Sequence, residues 1–392
     1  MEVFLMKAII NTKLIMEDGI IWDGAITYEN GRIVSCGWAK DVQIPEGTET
    51  IDAGGLYTAP GFVDIHNHGS QHHLFYEDPT ACCEHFIKHG QTTVLPTFYC
   101  DMTKEQYLEG AKKVKEAAKT GAGRIMAGLY MEGPYMDGTG SNQKYIKWKS
   151  GTHREEYEDL VQELKGFAKV WAIAPERENI EEFVAYVHAE DPKAVFAMGH
   201  SAATAAQCRK LKKYGMTLQT HHGDSGKTEG KAQGVIGAGC DEFALYDPDI
   251  FCELICDETG IHQDEGMIKL AIRTKGVERI ILITDSMKAS GDYTANVEAG
   301  VAYGPDLNYD YDGYLSGSHM TMDGACRNVM KHSGYGLCHA VRMASLNPAV
   351  MLGMDEEIGS IAEGKKANLI IMDDMVNVKK VILEGDVMVE ND

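Results

Sequence analysis

One stretch of the chain reads Pro60-Gly61-Phe62-Val63-Asp64-Ile65-His66-Asn67-His68-Gly69. Its apolar and β-branched residues predict a buried β-strand, and that strand ends in two histidines one residue apart. Because alternate side chains of an extended chain point the same way, we expect His66 and His68 to share one face. Two imidazoles at a strand end can hold a metal ion, provided that other strands supply further ligands.

Seven further apolar segments follow this strand, with helical patterns between several of them, most clearly at 104–119 and 179–189. Continuous apolar strands that alternate with helices predict a parallel sheet covered on both faces. Eight such strands predict an α/β fold, a closed (β/α)8 TIM barrel with its active site at the C-terminal strand ends. The seven segments occupy residues 92–97, 124–132, 170–176, 194–200, 216–221, 251–257 and 279–285.

Both ends of the chain predict strands of a smaller β-unit. Alternating segments within the first 58 residues are separated by turn signals such as Glu29-Asn30-Gly31, and two more such segments occupy 368–372 and 376–383. Short hairpins are marginally stable alone, so we expect the two ends to combine. The prediction is a small β-sandwich from residues 1–58 plus 357–392, beside a metal-binding barrel of residues 59–356.

The composition of the chain indicates its cellular compartment and limits the classes of partner it can bind. The ten cysteines are scattered without a Cys-X-X-Cys pair, and the first seven residues lack the basic region of a secretory signal. Both observations predict a cytoplasmic protein with reduced thiols. No apolar run approaches the roughly 18 residues of a membrane span. The net charge of −22 argues against nucleic acid or an anionic membrane as partner, but not against a small-molecule substrate.

The predicted barrel strands end in residues that bind divalent metals. Because parallel strands bring their C-terminal ends to one rim, residues from distant parts of the sequence are expected to meet there. Imidazole with carboxylate suits Zn²⁺ or Fe²⁺ better than Mg²⁺ or Ca²⁺. We therefore expect one or two divalent ions, zinc first, with iron, manganese or cobalt as alternatives. The candidate ligands are His66, His68, Glu132, His200, His221 and Asp285.

These ligands indicate hydrolytic chemistry. A metal-activated water supplies hydroxide near neutral pH. Glu132 can bind one ion or bridge two. Asp285 is placed to take the proton of the attacking water and to pass it to a leaving nitrogen, as a general base and then acid.

The order of the ligands resembles the amidohydrolase superfamily and, within it, the N-acetylglucosamine-6-phosphate deacetylase family. The resemblance implies Glu132, His200 and His221 as core metal ligands, Asp285 as the catalytic acid/base, and a homodimer as partner state. The presence of both His66 and His68 allows a second metal site. Matching motifs run nearly end to end: Ala59-Pro60-Gly61-Phe62-Val63-Asp64, Met131-Glu132-Gly133-Pro134-Tyr135, Ala174-Pro175-Glu176, Gly199-His200-Ser201, Thr284-Asp285, residues 316–322, residues 344–349 and residues 359–369.

The predicted substrate pocket departs from that family. The family follows its sixth-strand His with Leu-Phe/Tyr-Asn-Ala-Met, whereas this chain reads His221-His222-Gly223-Asp224-Ser225-Gly226, which puts Asp224 where the family has Asn. A family His that contacts the acyl carbonyl falls near Ser141, another falls at Gly260, and a family Arg that reaches a phosphate becomes Lys231.

These departures predict that the reaction class is kept and the substrate has changed. Asp224, Glu258 and His222 suit a ligand that is rich in hydroxyls or carries a cation better than a phosphomonoester. The alternative is that loops shift and that phosphate is bound by Lys227, Lys231 or backbone amides. The candidate substrate-binding residues are Ser141, Asn142, His222, Asp224, Ser225, Lys231, Glu258, Leu315, Ser316 and Gly317.

The functional hypothesis is a metal-dependent amidohydrolase. It would hydrolyse the N-acyl, chiefly N-acetyl, amide of an amino sugar or a related small polar molecule. One alternative is another C–N substrate, such as a cyclic amide or an aminated ring. A second is a non-catalytic barrel used for binding, but a binding module has no use for Asp285 beside the ligands.

Overall fold

The structure, a computed structural model, describes residues 6–137, 146–148, 152–226, 235, 237–289, 304–310 and 313–391. Within these ranges the strands are β1 Lys7–Met16, β2 Gly19–Glu29, β3 Arg32–Trp38, β4 Glu49–Asp52, β5 Tyr57–Pro60, β6 Phe62–Asn67, β7 Gln91–Tyr99, β8 Leu129–Glu132, β9 Ala168–Ile173, β10 Val195–Met198, β11 Met216–Gln219, β12 Phe251–Ile255, β13 Ile280–Ile283, β14 Leu307–Tyr309, β15 Leu315–Ser318, β16 Leu369–Met372, β17 Val378–Leu383 and β18 Asp386–Glu390. The α-helices are α1 Pro79–Phe86, α2 Lys104–Ala117, α3 Arg154–Leu164, α4 Ile180–Glu190, α5 Ala205–Leu211, α6 Cys240–Tyr246, α7 Glu265–Lys275, α8 Met322–Ser333, α9 Leu337–Ala344 and α10 Leu346–Met351.

The strands β6 to β13 form one parallel sheet in which each strand pairs with the next along the chain. The sheet curls until β13 lies beside β6, where the backbone N–H of Asp285 donates to the carbonyl of His66 at 2.9 Å. Across the same seam, the carboxylate of Asp64 accepts from the N–H and the hydroxyl of Thr284. The predicted eight-stranded TIM barrel is therefore confirmed.

Alternate residues of the barrel strands face opposite sides of the sheet. Val170 and Ala172 of β9 belong to the core inside the barrel. Trp171 and Ile173, between and after them, pack outside with Phe183 of α4. A residue at a strand end that continues the inward series consequently points into the mouth of the barrel.

The two chain ends meet in a second sheet of order β18-β17-β16-β5-β1-β2-β3, with β4 parallel to β1. β5 pairs antiparallel with β16, so that Tyr57 lies opposite Met372 and Pro60 opposite Leu369. Strands from both halves of this sheet share one apolar core, and the predicted β-sandwich from both termini is confirmed. The core includes Ile9, Leu14, Ile26, Ile33, Leu369, Ile371 and Ile382.

Some boundaries differ from the predictions. The segment 124–132 is a strand only from Leu129, because residues Gly121–Ile125 form a 3-10 helix. Helix α2 ends at Ala117, two residues early. The division expected between residues 58 and 59 falls within β5 of the terminal sheet, and the two domain boundaries stay predictions. Within the described ranges, no helix is long and apolar enough to cross a membrane.

Candidate metal centre and active site

The barrel strands bring the predicted ligands to one rim. Glu132 is the last residue of β8, and His200 and His221 stand two residues beyond the ends of β10 and β11. His66 lies in β6, and Asp285 stands two residues beyond β13. These side chains, with that of His68, belong to residues that are at most 7% exposed, so the cluster is buried at the base of the mouth.

The carboxylate of Glu132 lies between four imidazoles. Its Oε1 is 3.0 Å from Nε2 of His200 and 3.1 Å from Nε2 of His221. Its Oε2 is 3.0 Å from Nε2 of His68 and 3.5 Å from Nε2 of His66. Two groups of potential metal ligands therefore share Glu132, one group on each carboxylate oxygen.

Asp285 joins the group on the Oε2 side. Its Oδ1 lies 3.2 Å from Nε2 of His68 and 3.5 Å from Nε2 of His66. Because Asp285 follows Ile281 and Ile283 in the inward series of β13, its carboxylate points into the barrel mouth. A carboxylate here can bind an ion or exchange a proton with a molecule that the cluster holds.

Second contacts turn the imidazoles towards the cluster. Nδ1 of His66 is 3.1 Å from Oε2 of Glu253, and Nδ1 of His221 is 3.1 Å from the carbonyl oxygen of Asp224. Since these oxygens only accept, each Nδ1 donates and each Nε2 is aimed at the cluster, where it can release its proton and offer a lone pair to a cation. Nε2 of His66 is buried and has no hydrogen-bond partner among the described residues. Such oriented donors fit a divalent cation.

The charges of the cluster also favour the binding of a cation. Burial alone would raise the pKa of Glu132, but the charge of His66 and the hydrogen bonds of His200 and His221 hold it well below its ordinary value. Burial would likewise raise the pKa of Asp285, and His66 and His68 lower it. Both carboxylates are therefore ionised at neutral pH, and they attract positive charge to the cluster.

Backbone conformation at the strand ends is unusual. His200, His221 and Asp285 have φ values of 44°, 26° and 45°, a left-handed region that non-glycine residues rarely adopt. Gly199 precedes His200, and a Cβ there would lie 2.5 Å from the Cβ of Thr220. Strained backbone persists only where the surrounding structure enforces it, which is typical of functional sites.

A narrow cavity opens above the cluster. Glu132, Asp285 and three of the histidines form its floor. The rest of its wall consists of Tyr99, Asp224, Ser225, Met287, Leu315, Ser316 and Gly317.

Asp224 is held in the wall by a histidine that the sequence analysis missed. Nδ1 of His262 is 3.0 Å from Oδ2 of Asp224, and Nε2 of His262 is 3.1 Å from the carbonyl oxygen of Gly317. Burial would raise the pKa of Asp224, but His262 holds it below its ordinary value. From the resemblance, a family His was expected at Gly260. The loop after β12 does supply an imidazole, two positions further on.

Two other residues of the site also escaped prediction. Tyr99 ends β7 and lines the cavity, but the predicted strand stopped at residue 97. Glu253 lies within β12, and its signal was a lone carboxylate in the otherwise apolar segment Phe251–Ile255. Its Oε2 also accepts the backbone N–H of His221 at 3.0 Å.

The predicted substrate residues divide into three groups. Asp224, Ser225, Leu315, Ser316 and Gly317 line the cavity, and Ser141, Asn142 and Lys231 lie outside the described residues. The other two do not line the cavity.

His222 does not line the cavity, because it lies in the turn after β11, where the alternation of a strand no longer holds. Its ring is buried, 4.0 Å from Asp241. Glu258 is exposed, and its backbone N–H donates to Asp306, which holds it on the outer side of the loop.

Comparison with known proteins gives one family and a consistent set of relatives. The model of the Amidohydrolase family matches residues 57–388. A protein named N-acetylglucosamine-6-phosphate deacetylase from Haemophilus influenzae is 26% identical, over 96% of this chain and 98% of its own. A protein named N-acetylgalactosamine-6-phosphate deacetylase from Escherichia coli O157:H7 is 27% identical, over 95% and 97%.

Solved structures agree on the fold. The N-acetylglucosamine-6-phosphate deacetylase of Pasteurella multocida superposes with a TM-score of 0.84 at 24% identity, over 99% of this chain and all of the other. That of Thermotoga maritima gives a TM-score of 0.79 at 27% identity, over 98% and 100%. This chain belongs to the amidohydrolase family, hydrolases that act on carbon–nitrogen bonds.

Proposed function

We propose that the protein hydrolyses the N-acyl amide, chiefly N-acetyl, of an amino sugar or a closely related small polar molecule. The observation that carries this proposal is the carboxylate of Asp285, which lies within 3.5 Å of two imidazoles of the buried cluster. Relatives of nearly full length bear the names of deacetylases of two different amino sugar phosphates, which supports the N-acyl amino sugar as substrate class.

The proposed cofactor is one or two divalent ions, zinc first, with iron, manganese or cobalt as alternatives. Glu132, His200 and His221 would hold one ion, and His66, His68, Glu132 and Asp285 would hold the other. When bound, such an ion polarises a carbonyl oxygen and lowers the pKa of water.

The chain's own residues would handle the proton. Asp285 would accept a proton from the water that attacks the carbonyl carbon and donate it to the amide nitrogen as the C–N bond breaks. The products are a carboxylic acid and a free amine. Asp285 is suited to this task because it is ionised beside the cluster and opens onto the cavity.

The cavity wall would bind the rest of the substrate. Asp224, Ser225, Ser316 and backbone groups at Leu315 and Gly317 offer polar contacts to sugar hydroxyls. Ser141, Asn142 and Lys231 stay predictions. The alternatives, a different C–N bond or a binding protein without activity, are outcomes of the test below.

The test is a screen for released amine. Zinc-loaded protein is incubated with N-acetyl and N-formyl amino sugars, cyclic amides and aminated rings, with Asp285→Asn as the control. We expect amine release from N-acyl amino sugars by the wild type alone. Ammonia from an aminated ring, or ring opening of a cyclic amide, would establish the first alternative, and no turnover of any compound would favour a binding role.

We further propose a cytoplasmic homodimer. All ten cysteines are free and eight of them are buried, which suits a reducing compartment. The homodimer follows the resemblance to the deacetylase family. Sedimentation of the purified protein measures its oligomeric state directly.

A further inference from the structure

The pair formed by Asp224 and His262 bears on which sugar the cavity admits. Nε2 of His262 faces the carbonyl oxygen of Gly317, which can only accept, so this nitrogen carries a hydrogen. Nδ1 faces Oδ2 of Asp224, and this contact is satisfied when that nitrogen also carries one. The pair is then an imidazolium against a carboxylate, a charge-assisted hydrogen bond.

The carboxylate of Asp224 faces the cavity, and the imidazole of His262 does not. The side chain of Asp224 is 29% exposed, whereas that of His262 is 1% exposed and lies behind it. The second oxygen of Asp224, Oδ1, is 3.3 Å from the hydroxyl of Ser225, which donates to it. A carboxylate fixed in this way accepts hydrogen bonds and donates none.

A ligand group that pairs with the carboxylate of Asp224 must be a hydrogen-bond donor. A sugar hydroxyl can donate to Asp224. A phosphate monoester carries about 1.5 to 2 negative charges at neutral pH and presents mainly acceptors, so it is repelled by a carboxylate at close range. The described part of the wall contains no lysine or arginine, and the charge of His262 lies behind the carboxylate, so a phosphate that enters the cavity meets the oxygens of Asp224 first.

We infer that this cavity selects an unphosphorylated N-acyl amino sugar, with a sugar hydroxyl donating to Asp224, and that Asp224 is the residue that discriminates against the phosphorylated form. The inference rests on the proposed function for the amide bond. It departs from what the names of the relatives say of their own substrates, because it is drawn from the hydrogen-bonding capacity of this wall.

Two measurements on the zinc-loaded enzyme test it. The first is kcat/KM for N-acetylglucosamine and for N-acetylglucosamine-6-phosphate, followed by amine release. The second is the Kd of both sugars by calorimetry with Asp285→Asn, which separates binding from turnover. We expect both measurements to favour the unphosphorylated sugar by about 10-fold or more, as like charges at close range require.

Variants of the wall assign the effect to one residue. Asp224→Asn removes the charge and adds an amide donor, so its preference should shift towards the phosphorylated sugar by about 10-fold. Asp374→Asn, the same substitution at an exposed position outside the wall, is the control and should keep the wild-type ratio. Added salt should narrow the wild-type ratio, because it screens the repulsion.

Several outcomes would overturn the inference. They are equal or tighter binding of the phosphorylated sugar, a ratio unchanged in Asp224→Asn, or no binding of either sugar at millimolar concentration. Lys227 and Lys231, whose positions are not described, would be the next residues to replace if phosphate were preferred. Efficient deacetylation of the phosphorylated sugar would leave the proposed function standing and remove only this inference. Selective binding of the unphosphorylated sugar without amine release would leave this inference standing and remove the proposed function.

Discussion

Oε2 of Glu253 lies 3.1 Å from Nδ1 of His66, and both side chains are completely buried. The same oxygen accepts the backbone N–H of His221 at 3.0 Å. One carboxylate thus orients the imidazole of one candidate ligand, on one side of Glu132, and the backbone of another candidate ligand on the other side. Partners of this kind fix the tautomer of the imidazole and raise its basicity.

Replacing Glu253 by Gln is therefore expected to weaken metal binding. The amide keeps the shape but loses the charge that holds the Nδ1–H of His66, and losses of a supporting contact typically cost about 10- to 100-fold in affinity or activity. Competition with a chromogenic chelator measures the affinity. Glu356→Gln, at an exposed position, is the control, and equal affinities of the two variants would contradict the role given to Glu253.

Asp285→Asn should lower kcat by roughly 10²- to 10⁴-fold, because the amide cannot accept a proton from water. We expect at least the ion on the Glu132–His200–His221 side to remain, since the imidazoles that pair with Asp285 are His66 and His68, on the other side of Glu132. Steady-state kinetics and elemental analysis of the same preparation test both statements. Asp374→Asn, at an exposed turn between β16 and β17, serves as the control, and near-normal turnover would remove the role of Asp285.

Removal of metal should abolish activity, and zinc should restore it. Because Glu132 offers one oxygen to each ligand group, we expect up to two zinc ions per chain at saturation. His68→Asn should lose one ion, and His221→Asn should lose the other. Elemental analysis after dialysis counts them. A single ion that both substitutions displace would show that the two groups form one site, and an active metal-free preparation would refute the mechanism.

Gly199→Ala should disturb the centre through packing alone. The added Cβ would lie 2.5 Å from that of Thr220, so the backbone before His200 must shift. Overpacking of this kind costs about 1–3 kcal/mol in the free energy of unfolding. Gly336→Ala, where the Cβ meets open space, is the matched control. Denaturant unfolding and zinc affinity of both variants decide whether the small residue before His200 is required.

Much of this fold can be predicted from the sequence, because the hydrophobicity of residues and its periodicity along the chain are local signals. The apolar segments gave the eight barrel strands in order, and the segments near both ends gave the terminal sheet. The candidate ligands could be predicted to converge because each stands at or near a strand end, and a parallel barrel brings those ends together. Glu253 was missed because it lies in the middle of an apolar strand, whereas the other residues were recognised by their position at or near a strand end.

The direction of side chains in the loops could not be predicted from these local patterns. His222 and Asp224 are two residues apart, yet one is buried away from the cavity and the other lines it. His262 reaches Asp224 across 38 residues of chain, through a loop whose length moved the imidazole two positions from where it was expected.

The sequence by itself determined the barrel, the sandwich and the set of candidate metal ligands, because hydrophobic periodicity and position at a strand end depend only on neighbouring residues. Only the tertiary structure decided that Glu132 is shared between two ligand groups, that Glu253 supports both, and that Asp224 is fixed by His262. Those contacts join residues far apart in the chain, and their geometry depends on how the loops close over the rim.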